Sequence, residues 1–374
     1  MKVIADDKIP FLKGVLEPFV DVVYKKGADI STTDLLDADG LITRTRTKCN
    51  EKLLKGSAVK FIATATIGYD HIDTSYCEQN GIVWTNAPGC NSGSVYQYVG
   101  SVLSTLAGKY NLDFSEVALG VIGVGNVGRK VVRLGELIGA QVYLNDPPRQ
   151  RKEGTCGFMS LEGIVRECNI ITIHVPLVKD GPDKTYHLVN EDFLKRLNPN
   201  TILINSSRSE VVDTAALKKA LKEKWIRAAV LDVWEKEPDI DLELLSMVDI
   251  TTPHIAGYSV DGKANGTAMS VQALSKKLGL PLTRWQPEDL PEPASSVMDI
   301  NCEGKTKQQV LTQAILSTYK VLEDDARLRQ SVETFEAQRG SYPNRREFHA
   351  YSVKLTSDHS GIGKALKGLG FSVI

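Results

Sequence analysis

Three side chains with complementary chemistry follow three successive apolar runs in the second half of the chain. Arg208 follows "TILINSS", Glu237 follows "AAVLDVWEK", and His254 follows "DITTP". Parallel strands of an open sheet end at one edge, where ligands bind, so we expect these side chains to converge. Hydride transfer from a hydroxyl-bearing carbon needs a base for the hydroxyl proton and a cation for the substrate, and histidine and arginine suit these tasks.

Glu237 completes the set, because a carboxylate beside an imidazole orients the ring and stabilises the imidazolium. Each residue also has a plain structural alternative. His254 could be an ordinary turn residue, and Glu237 lies in the charged run "EKEPD". Arg208 could pair on the surface with Glu210 or Asp213. The shared placement after consecutive strands favours the catalytic interpretation.

A glycine motif lies upstream of these residues. It reads Gly123-x-Gly125-x-x-Gly128, with Asn126 and Val127 before the last glycine. The motif follows an apolar strand, opens a helix and precedes a second strand, which is the context of a dinucleotide-binding unit. The glycines permit a tight turn, close approach of a pyrophosphate and close packing of helix on strand. The helix N-terminus supplies N–H groups for the phosphates.

The acid that ends the second strand, Asp146, indicates which nicotinamide cofactor binds. It can accept hydrogen bonds from a ribose diol and would repel a 2′-phosphate, so the sequence favours NAD over NADP. Arg149 and Arg151 follow closely and weaken this preference. A glycine-rich turn with a chance acid is the structural alternative.

The bulk composition argues against several classes of partner. The 374 residues carry a net charge of -1, with 42% hydrophobic and 24% charged residues, so no overall field attracts nucleic acid or a membrane. No stretch is apolar for long enough to span a bilayer, and the N-terminus does not resemble a signal peptide. The cysteines and histidines show no zinc spacing, so we predict no metal and reduced thiols in a cytoplasmic protein.

Two series of alternating apolar runs and helical stretches predict an α/β protein with parallel sheets. Asp213 is placed to cap a helix in the second series. A proline-rich stretch, "GLPLTRWQPEDLPEPASS", then reads as a linker to a smaller α+β unit. In that unit we predict one long helix over residues 306–338. Its apolar stripe would comprise Leu311, Ile315, Leu322, Leu328, Val332 and Phe335.

The motifs "GVIGVGNVG", "HVPL", "INSSRSEVVD", "LDVWEKEP" and "TPHIAG" occur in the order and spacing of the D-isomer-specific 2-hydroxyacid dehydrogenases, and the chain resembles that family up to the linker. The resemblance implies two similar doubly wound parallel-sheet domains with the active site in their cleft. It implies catalytic roles for Arg208, Glu237 and His254, and a nicotinamide contact for Asp232.

The predicted domains follow from this resemblance. A flavodoxin-like substrate-binding domain would comprise residues 1–92 and 258–285. A Rossmann NAD-binding domain would comprise residues 93–257. A small α+β C-terminal domain, residues 286–374, would form a homodimer.

A closer resemblance, to one subgroup of the family, covers nearly the whole chain, including "TRTRTKCN", "NAPGCNSGSVYQYV" and "YPNRREF". It implies NAD-dependent oxidation of 4-phospho-D-erythronate at C2 to 2-oxo-3-hydroxy-4-phosphobutanoate, on a route to pyridoxal 5′-phosphate. The implied substrate contacts are Thr45, Thr66 and Tyr258. The implied NAD contacts, beyond the glycine motif and Asp146, are Val175, Ser206, Ser207, Arg208, Asp232 and Gly257. Valine at position 175 replaces an expected hydroxyl residue, so its contact would come from backbone or apolar surface.

A cationic cluster in "GLITRTRTK" offers an anchor for a phosphate. If the strand ends near Thr43, the alternation of side chains would place Arg44 and Arg46 on one side, at the carboxyl end of the sheet. We predict that these two arginines and Thr45 hold the substrate. Lys48 is expected to be solvated, and a merely charged strand end is the alternative for the whole cluster.

Two other functions stay open at this level. Another 2-hydroxyacid dehydrogenase, such as one acting on 3-phosphoglycerate, would use the same three catalytic residues. A non-catalytic NAD(H)-sensing protein could also be built on this fold.

Overall fold

The computed structural model describes residues 1–154, 156–357 and 361–374. They pack into two compact units. The first unit comprises Met1–Asn91 and Ser259–Pro291, and the second comprises Ser92–Tyr258 and Glu292–Ile374. Packing alone therefore groups the C-terminal segment with the glycine-motif region, and the division into three domains stays a prediction.

The strands of the first unit are β1 (Lys2–Asp6), β2 (Asp21–Lys25), β3 (Gly40–Thr43), β4 (Phe61–Thr64) and β5 (Val83–Thr85). They form one parallel sheet in the order β2-β1-β3-β4-β5. Every residue of β3 and β4 is buried, as expected for central strands of a parallel sheet that is covered on both faces.

The second unit has two sheets. The strands of the larger one are β6 (Ala118–Ile122), β7 (Gln141–Asn145), β8 (Ile170–Ile173), β9 (Ile202–Asn205), β10 (Ala228–Leu231) and β11 (Ile250–Thr251). All pair in parallel, in the order β11-β10-β9-β8-β6-β7. A smaller parallel sheet has the order β12-β13-β14, from β12 (Val297–Asn301), β13 (Ser352–Thr356) and β14 (Ser372–Val373). The predicted α/β class with parallel sheets is confirmed.

The helices of the described chain are α1 (Glu51–Leu54), α2 (Thr74–Gln79), α3 (Ser92–Tyr110), α4 (Gly128–Ile138), α5 (Pro147–Glu153), α6 (Leu161–Glu167), α7 (Glu191–Lys195), α8 (Thr214–Lys222), α9 (Leu242–Met247), α10 (Val260–Leu278), α11 (Lys307–Thr318), α12 (Val321–Gln330), α13 (Phe335–Gly340) and α14 (Ile362–Leu369). Asp213 caps α8 as predicted, because its carboxylate accepts hydrogen bonds from the N–H groups of Ala215 and Ala216.

The C-terminal segment shares a hydrophobic core with the six-stranded sheet. Helices α11 and α12 pack on α3, and α14 packs on α4. Leu311, Ile315 and Leu366 are buried in the same cluster as Val99 and Leu134. The segment is therefore stabilised by contact with the sheet-bearing part of its own unit.

The prediction of one long helix in this segment is wrong. The chain leaves the helix after Thr318, because Tyr319 adopts an extended conformation and turns its hydroxyl onto the buried carboxylate of Asp324. The break shifts the helical phase, so Leu322 is 50% exposed although it belongs to the predicted apolar stripe.

Two side chains of α3 fix the segment that contains "YPNRREF". The amide of Gln97, which is fully buried, donates to the carbonyl of Arg346 at 2.9 Å and to the hydroxyl of Thr318 at 3.1 Å. The Ser94 hydroxyl donates to Glu347 at 3.0 Å. This stretch therefore has a defined position on the core helix of its unit.

Candidate active site

The second unit places three of the predicted residues beyond adjacent strands. Asp232 directly follows β10, while His254 and Arg208 each follow a neighbouring strand, β11 and β9. Glu237 lies in the loop after β10, and its carboxylate oxygens are 2.8 and 3.1 Å from Nδ1 of His254. The structure thus brings His254 and Glu237 into direct contact.

This contact determines which nitrogen of His254 can act as a base. A carboxylate only accepts hydrogen bonds, so Nδ1 carries the proton and Nε2 is left with its lone pair. Burial alone would raise the pKa of the Glu237 carboxyl, but hydrogen bonds from His254 and from the Trp234 N–H, with the charge of Arg339, lower that pKa. Glu237 is therefore held as a carboxylate that orients the imidazole.

Asp232 holds the backbone that carries His254. Its carboxylate accepts the N–H groups of Ile255 at 2.8 Å and Ala256 at 2.9 Å, and the Thr252 hydroxyl at 2.6 Å. Its carbonyl accepts the His254 N–H at 2.7 Å. Burial raises the pKa of Asp232, and the electrostatic interaction with His254 and these hydrogen bonds oppose the rise. The side chain is thus engaged within its own chain, and its predicted nicotinamide contact stays a prediction.

Arg208 does not form the surface ion pair with Glu210 or Asp213 that the sequence allowed as an alternative. Its guanidinium donates to the Ser207 carbonyl at 2.9 Å, and the described part of the chain gives it no carboxylate partner. Glu210 instead accepts from Ser209, and Asp213 caps α8. The planar fork of Arg208 is therefore free of any internal ion pair among the described residues, as a carboxylate-binding arginine requires.

A second histidine follows a strand of the same sheet but does not suit acid–base chemistry. Nε2 of His174, just after β8, lies 2.9 Å from the Thr172 hydroxyl. Burial lowers the pKa of His174, and no carboxylate opposes that shift. Only His254 combines a strand-end position with a carboxylate on Nδ1 in the described part of this unit.

The glycine motif has the backbone geometry that a dinucleotide requires. Gly123 has φ +87°, a conformation that favours glycine, and Val175 packs against it. A Cβ on Gly128 would lie 1.9 Å from the Gly123 carbonyl oxygen. A Cβ on Gly125 would meet nothing within 4 Å in the described structure, so internal packing does not explain glycine there. Helix α4 begins after Val127 without a side-chain cap, and the N–H groups of Arg129 and Lys130 donate to the carbonyls of Gly125 and Val127. An anion would therefore meet the loop before these residues and the positive end of the helix dipole.

The surroundings of Asp146 show why Arg149 and Arg151 do not overturn the preference for NAD over NADP. Asp146 accepts the N–H groups of Val124 and Arg149, which holds its carboxylate beside the glycine loop. Arg149 forms a bidentate pair with Glu153, and Arg151 pairs with Asp183. Both cations already have carboxylate partners, so neither stands as an unpaired cation beside Asp146 for a 2′-phosphate.

The other predicted cofactor contacts lie near these loops. The Ser206 hydroxyl is buried and has no hydrogen-bond partner in the described chain, whereas the Ser207 hydroxyl donates to Asn205. Asn126 is exposed at the end of the glycine loop, and Gly257 follows Ala256 in the loop that Asp232 holds. The buried, unsatisfied hydroxyl of Ser206 is the kind of group that a ligand would complete.

The remaining substrate candidates divide between the units. Tyr258 lies in the second unit, while Arg44, Thr45, Arg46 and Thr66 lie in the first. The Thr66 hydroxyl donates to the Gly68 carbonyl, within the loop after β4. The roles of these residues stay predictions.

The strand that carries the cationic cluster ends at Thr43, as expected, but the alternation argument beyond it is wrong. Residues 45–46 form a turn, and a turn does not alternate side chains as a strand does. Arg44 is half-buried and donates to the Lys8 carbonyl at 3.0 Å, whereas Thr45 and Arg46 are exposed. Arg44 is thus held by a backbone carbonyl of its own unit.

One charged residue near His254 and Glu237 was not identified from the sequence. Arg339, on α13, has its guanidinium 5.8 Å from the centre of the Tyr258 ring and pairs with Glu336 at 2.9 Å. Its charge helps to lower the pKa of Glu237. The only sequence signal was a cation in the resembled tail, which has no fixed spacing from the catalytic motifs.

Within residues 1–154, 156–357 and 361–374, no group of three or more His, Cys, Asp or Glu side chains is arranged to hold a metal ion. Over the same residues, no helix combines the length and apolar character needed to cross a membrane.

Comparison with known proteins places the chain among dehydrogenases. Residues 103–256 match the model of the D-isomer specific 2-hydroxyacid dehydrogenase NAD binding domain, and residues 290–370 match a domain of unknown function. A Bacteroides thetaiotaomicron protein named erythronate-4-phosphate dehydrogenase is 50% identical over 354 residues, 94% of this chain and 99% of that protein. One of the same name from Photorhabdus laumondii is 42% identical over 375 residues, 100% of this chain and 99% of that protein.

Solved structures agree on the fold. The D-lactate dehydrogenase of Aquifex aeolicus, complexed with NAD and lactic acid, has a TM-score of 0.62 at 25% identity over 75% of this chain and 96% of that one. The NADPH-dependent glyoxylate/hydroxypyruvate reductase of Sinorhizobium meliloti has a TM-score of 0.64 at 26% identity, over 76% and 99%. Since these relatives differ in cofactor, the preference for NAD depends on Asp146 and its surroundings.

Two glycine substitutions separate packing from cofactor binding in the glycine motif. Gly128→Ala should lower the free energy of unfolding by about 1–3 kcal/mol, because the new methyl group meets a backbone oxygen. Gly125→Ala should leave that free energy within about 0.5 kcal/mol of wild type. It should nevertheless weaken NAD binding by roughly tenfold, because the methyl group occupies the approach of the pyrophosphate.

Denaturant unfolding without cofactor and a fluorescence titration with NAD measure the two effects. Wild-type affinity for NAD in a folded Gly125→Ala variant would contradict the assignment of this loop to the pyrophosphate.

Proposed function

Because the chain belongs to the D-isomer-specific 2-hydroxyacid dehydrogenase family, we propose that it is an NAD-dependent dehydrogenase that oxidises 4-phospho-D-erythronate at C2. The product would be 2-oxo-3-hydroxy-4-phosphobutanoate, an intermediate in pyridoxal 5′-phosphate synthesis. The observation that carries the proposal is 39–50% identity, over 94–100% of this chain, to proteins named erythronate-4-phosphate dehydrogenase.

His254 is the proposed base. Its unprotonated Nε2 takes the proton of the C2 hydroxyl, and the resulting imidazolium is stabilised by the Glu237 carboxylate, 2.8 Å from Nδ1. Bound NAD⁺ would supply the oxidising chemistry by accepting the hydride of C2, so that C2 would become a carbonyl carbon. The proton and the hydride together account for the two hydrogens that the substrate loses.

Arg208 is the proposed cation for the substrate. Its guanidinium matches a carboxylate in a two-point contact and stabilises negative charge on the C2 oxygen as the proton leaves. The lack of an internal carboxylate partner in the described chain supports this role.

The proposed NAD site uses the glycine loop and the strand ends of the second unit. The N-terminus of α4 and the loop at Gly125 would hold the pyrophosphate, and Asp146 would accept the ribose hydroxyls. The Ser206 hydroxyl and the loops at Asp232 and Gly257 would complete the nicotinamide end. The packing of Val175 on Gly123 supports an apolar contact at that position.

The phosphate of the substrate is assigned to the cationic cluster of the first unit. Arg44, Thr45 and Arg46 offer charge and hydroxyl donors on a turn, and Thr66 and Tyr258 are the further proposed contacts. A phosphate needs such donors, because an isolated dianion is costly to remove from water.

The assembly and location of the enzyme are also proposed. The C-terminal segment would form the interface of a homodimer, which the resemblance supports. Six free cysteines, of which five are buried, fit a reducing cytoplasmic compartment.

The choice of substrate is tested by steady-state kinetics of the full chain with NAD⁺. We expect kcat/KM for 4-phospho-D-erythronate to exceed that for 3-phosphoglycerate by about tenfold or more, because the two acids differ by one hydroxylated carbon in the distance from carboxylate to phosphate. Equal or better turnover of 3-phosphoglycerate would reject the proposed substrate. NAD binding without turnover of either acid would favour a sensing protein.

The phosphate anchor is tested by Arg44→Ala. Removal of a charge-assisted hydrogen bond worth roughly 1.5–3 kcal/mol should raise KM for 4-phospho-D-erythronate by about tenfold to a hundredfold. The KM for NAD should change little, because the cofactor motif lies elsewhere in the chain.

Lys48→Ala is the matched control, since Lys48 is an exposed cation of the same cluster. It should leave KM for the phosphorylated acid within about twofold of wild type, as for an exposed charge. The anchor assignment fails if Arg44→Ala behaves like this control.

A further inference from the structure

The C-terminal segment places a buried arginine against the loop of the catalytic histidine. Arg345, from "YPNRREF", is 5% exposed. Its Nη2 donates to the carbonyl of Ala256 at 2.6 Å and approaches that of Ile255 at 3.4 Å. These two carbonyls belong to the residues that directly follow His254, so the tail contacts the loop that carries the proposed base.

Asp232 holds the same stretch of backbone through its N–H groups, whereas Arg345 holds it through its carbonyls. Its carboxylate accepts the N–H groups of Ile255 and Ala256, while Arg345 donates to their carbonyls. The short loop after His254 thus lies between a buried anion and a buried cation. Asp232 holds the peptide N–H groups that precede Ile255 and Ala256, Arg345 holds the carbonyls that follow them, and the Ile255–Ala256 peptide is held on both sides. Rotation of these peptides would break hydrogen bonds to a charged partner.

The burial of Arg345 is not explained by its contribution to folding stability alone. Nε and Nη1 of Arg345 have no hydrogen-bond acceptor in the described chain, and its guanidinium lies 4.4 Å from the centre of the Tyr319 ring. The nearby carboxylate of Asp324 is taken by the hydroxyls of Tyr319 and Tyr342 and by Arg327. A buried cation without a direct ion pair carries a large desolvation cost, which stacking on an aromatic ring offsets only in part.

The backbone of His254 needs such support. Its φ of +55° lies in the left-handed region, which costs a residue other than glycine roughly 1–3 kcal/mol unless the surroundings over-determine it. The hydrogen bonds of Asp232 and Arg345 to Ile255 and Ala256 hold the backbone after His254 and so stabilise this conformation. Loss of either would let the loop relax and move the imidazole away from its position on Glu237.

We propose that Arg345 is a positioning residue for the reaction, which acts through the Ile255–Ala256 backbone to hold His254 in place. The C-terminal segment then contributes to turnover as well as to assembly. This inference rests on the proposed function, because it concerns the same histidine. It assigns Arg345 no contact with substrate or cofactor.

The test replaces Arg345 with methionine, which keeps much of the length but removes the charge and every donor, and with lysine, which keeps a charge and one donor centre. We expect kcat to fall by about tenfold or more in Arg345→Met, as for a small misplacement of a catalytic group. Arg345→Lys should lie between that variant and wild type. The KM for the hydroxy acid and the Kd for NAD should change less than about threefold, because neither ligand touches Arg345.

Arg327→Met is the matched control. It removes an arginine of the same segment whose guanidinium pairs with Asp324 at 2.8 Å instead of with the carbonyls of Ile255 and Ala256. Its kcat should stay within about twofold of wild type, even if its Tm falls. A fall in kcat of Arg345→Met no larger than that of this control would overturn the proposal.

The design separates the two claims. Wild-type turnover of 4-phospho-D-erythronate tests the proposed function, and the ratio of variant to wild-type kcat tests the role of Arg345. If Arg345→Met does not fold, Arg345→Lys decides: reduced kcat with retained NAD affinity supports the proposal, and wild-type kcat overturns it.

Discussion

The buried carboxylate of Asp232 is the interaction on which the rest of the site depends. It collects two backbone N–H groups and one hydroxyl from the residues around His254, while its own carbonyl accepts the His254 N–H. With that backbone fixed, the imidazole meets Glu237 through Nδ1 and leaves Nε2 for the substrate. The Asp232 side chain belongs to a residue that is 1% exposed, and its burial is tolerated because one short loop supplies all these hydrogen-bond donors.

The fold supplies the other half of this constraint. Strands β9, β10 and β11 are neighbours in one parallel sheet, so Arg208, Asp232 and His254 emerge from one edge of that sheet. The C-terminal segment packs on α3 and presents Arg345 to the histidine loop. In the second unit the loop after His254 thus lies between the edge of the sheet and an irregular stretch, residues 342–347, that is distant in sequence.

Local sequence patterns could predict much of the fold and of the site, but they could not predict contacts between residues that are distant in sequence. The glycine motif, the Asp213 cap and the strand-end placement of His254 depend on neighbouring residues, and the structure has all three. The contact of Arg345 with Ala256 joins residues that no period or motif relates. The long helix was mispredicted because Tyr319 turns inward to Asp324. The expected alternation that would place Arg44 and Arg46 on one side failed because residues 45–46 form a turn.

The most direct test of the central claim, that this loop presents His254 as the base, is the kinetics of His254→Ala beside its affinity for NAD. The account predicts that kcat/KM for 4-phospho-D-erythronate falls by about two orders of magnitude or more, as for a lost acid–base group, while the Kd for NAD stays near the wild-type value. Unchanged kcat/KM would contradict the account. It would mean that another group takes the hydroxyl proton and that the contacts around Asp232 serve structure alone.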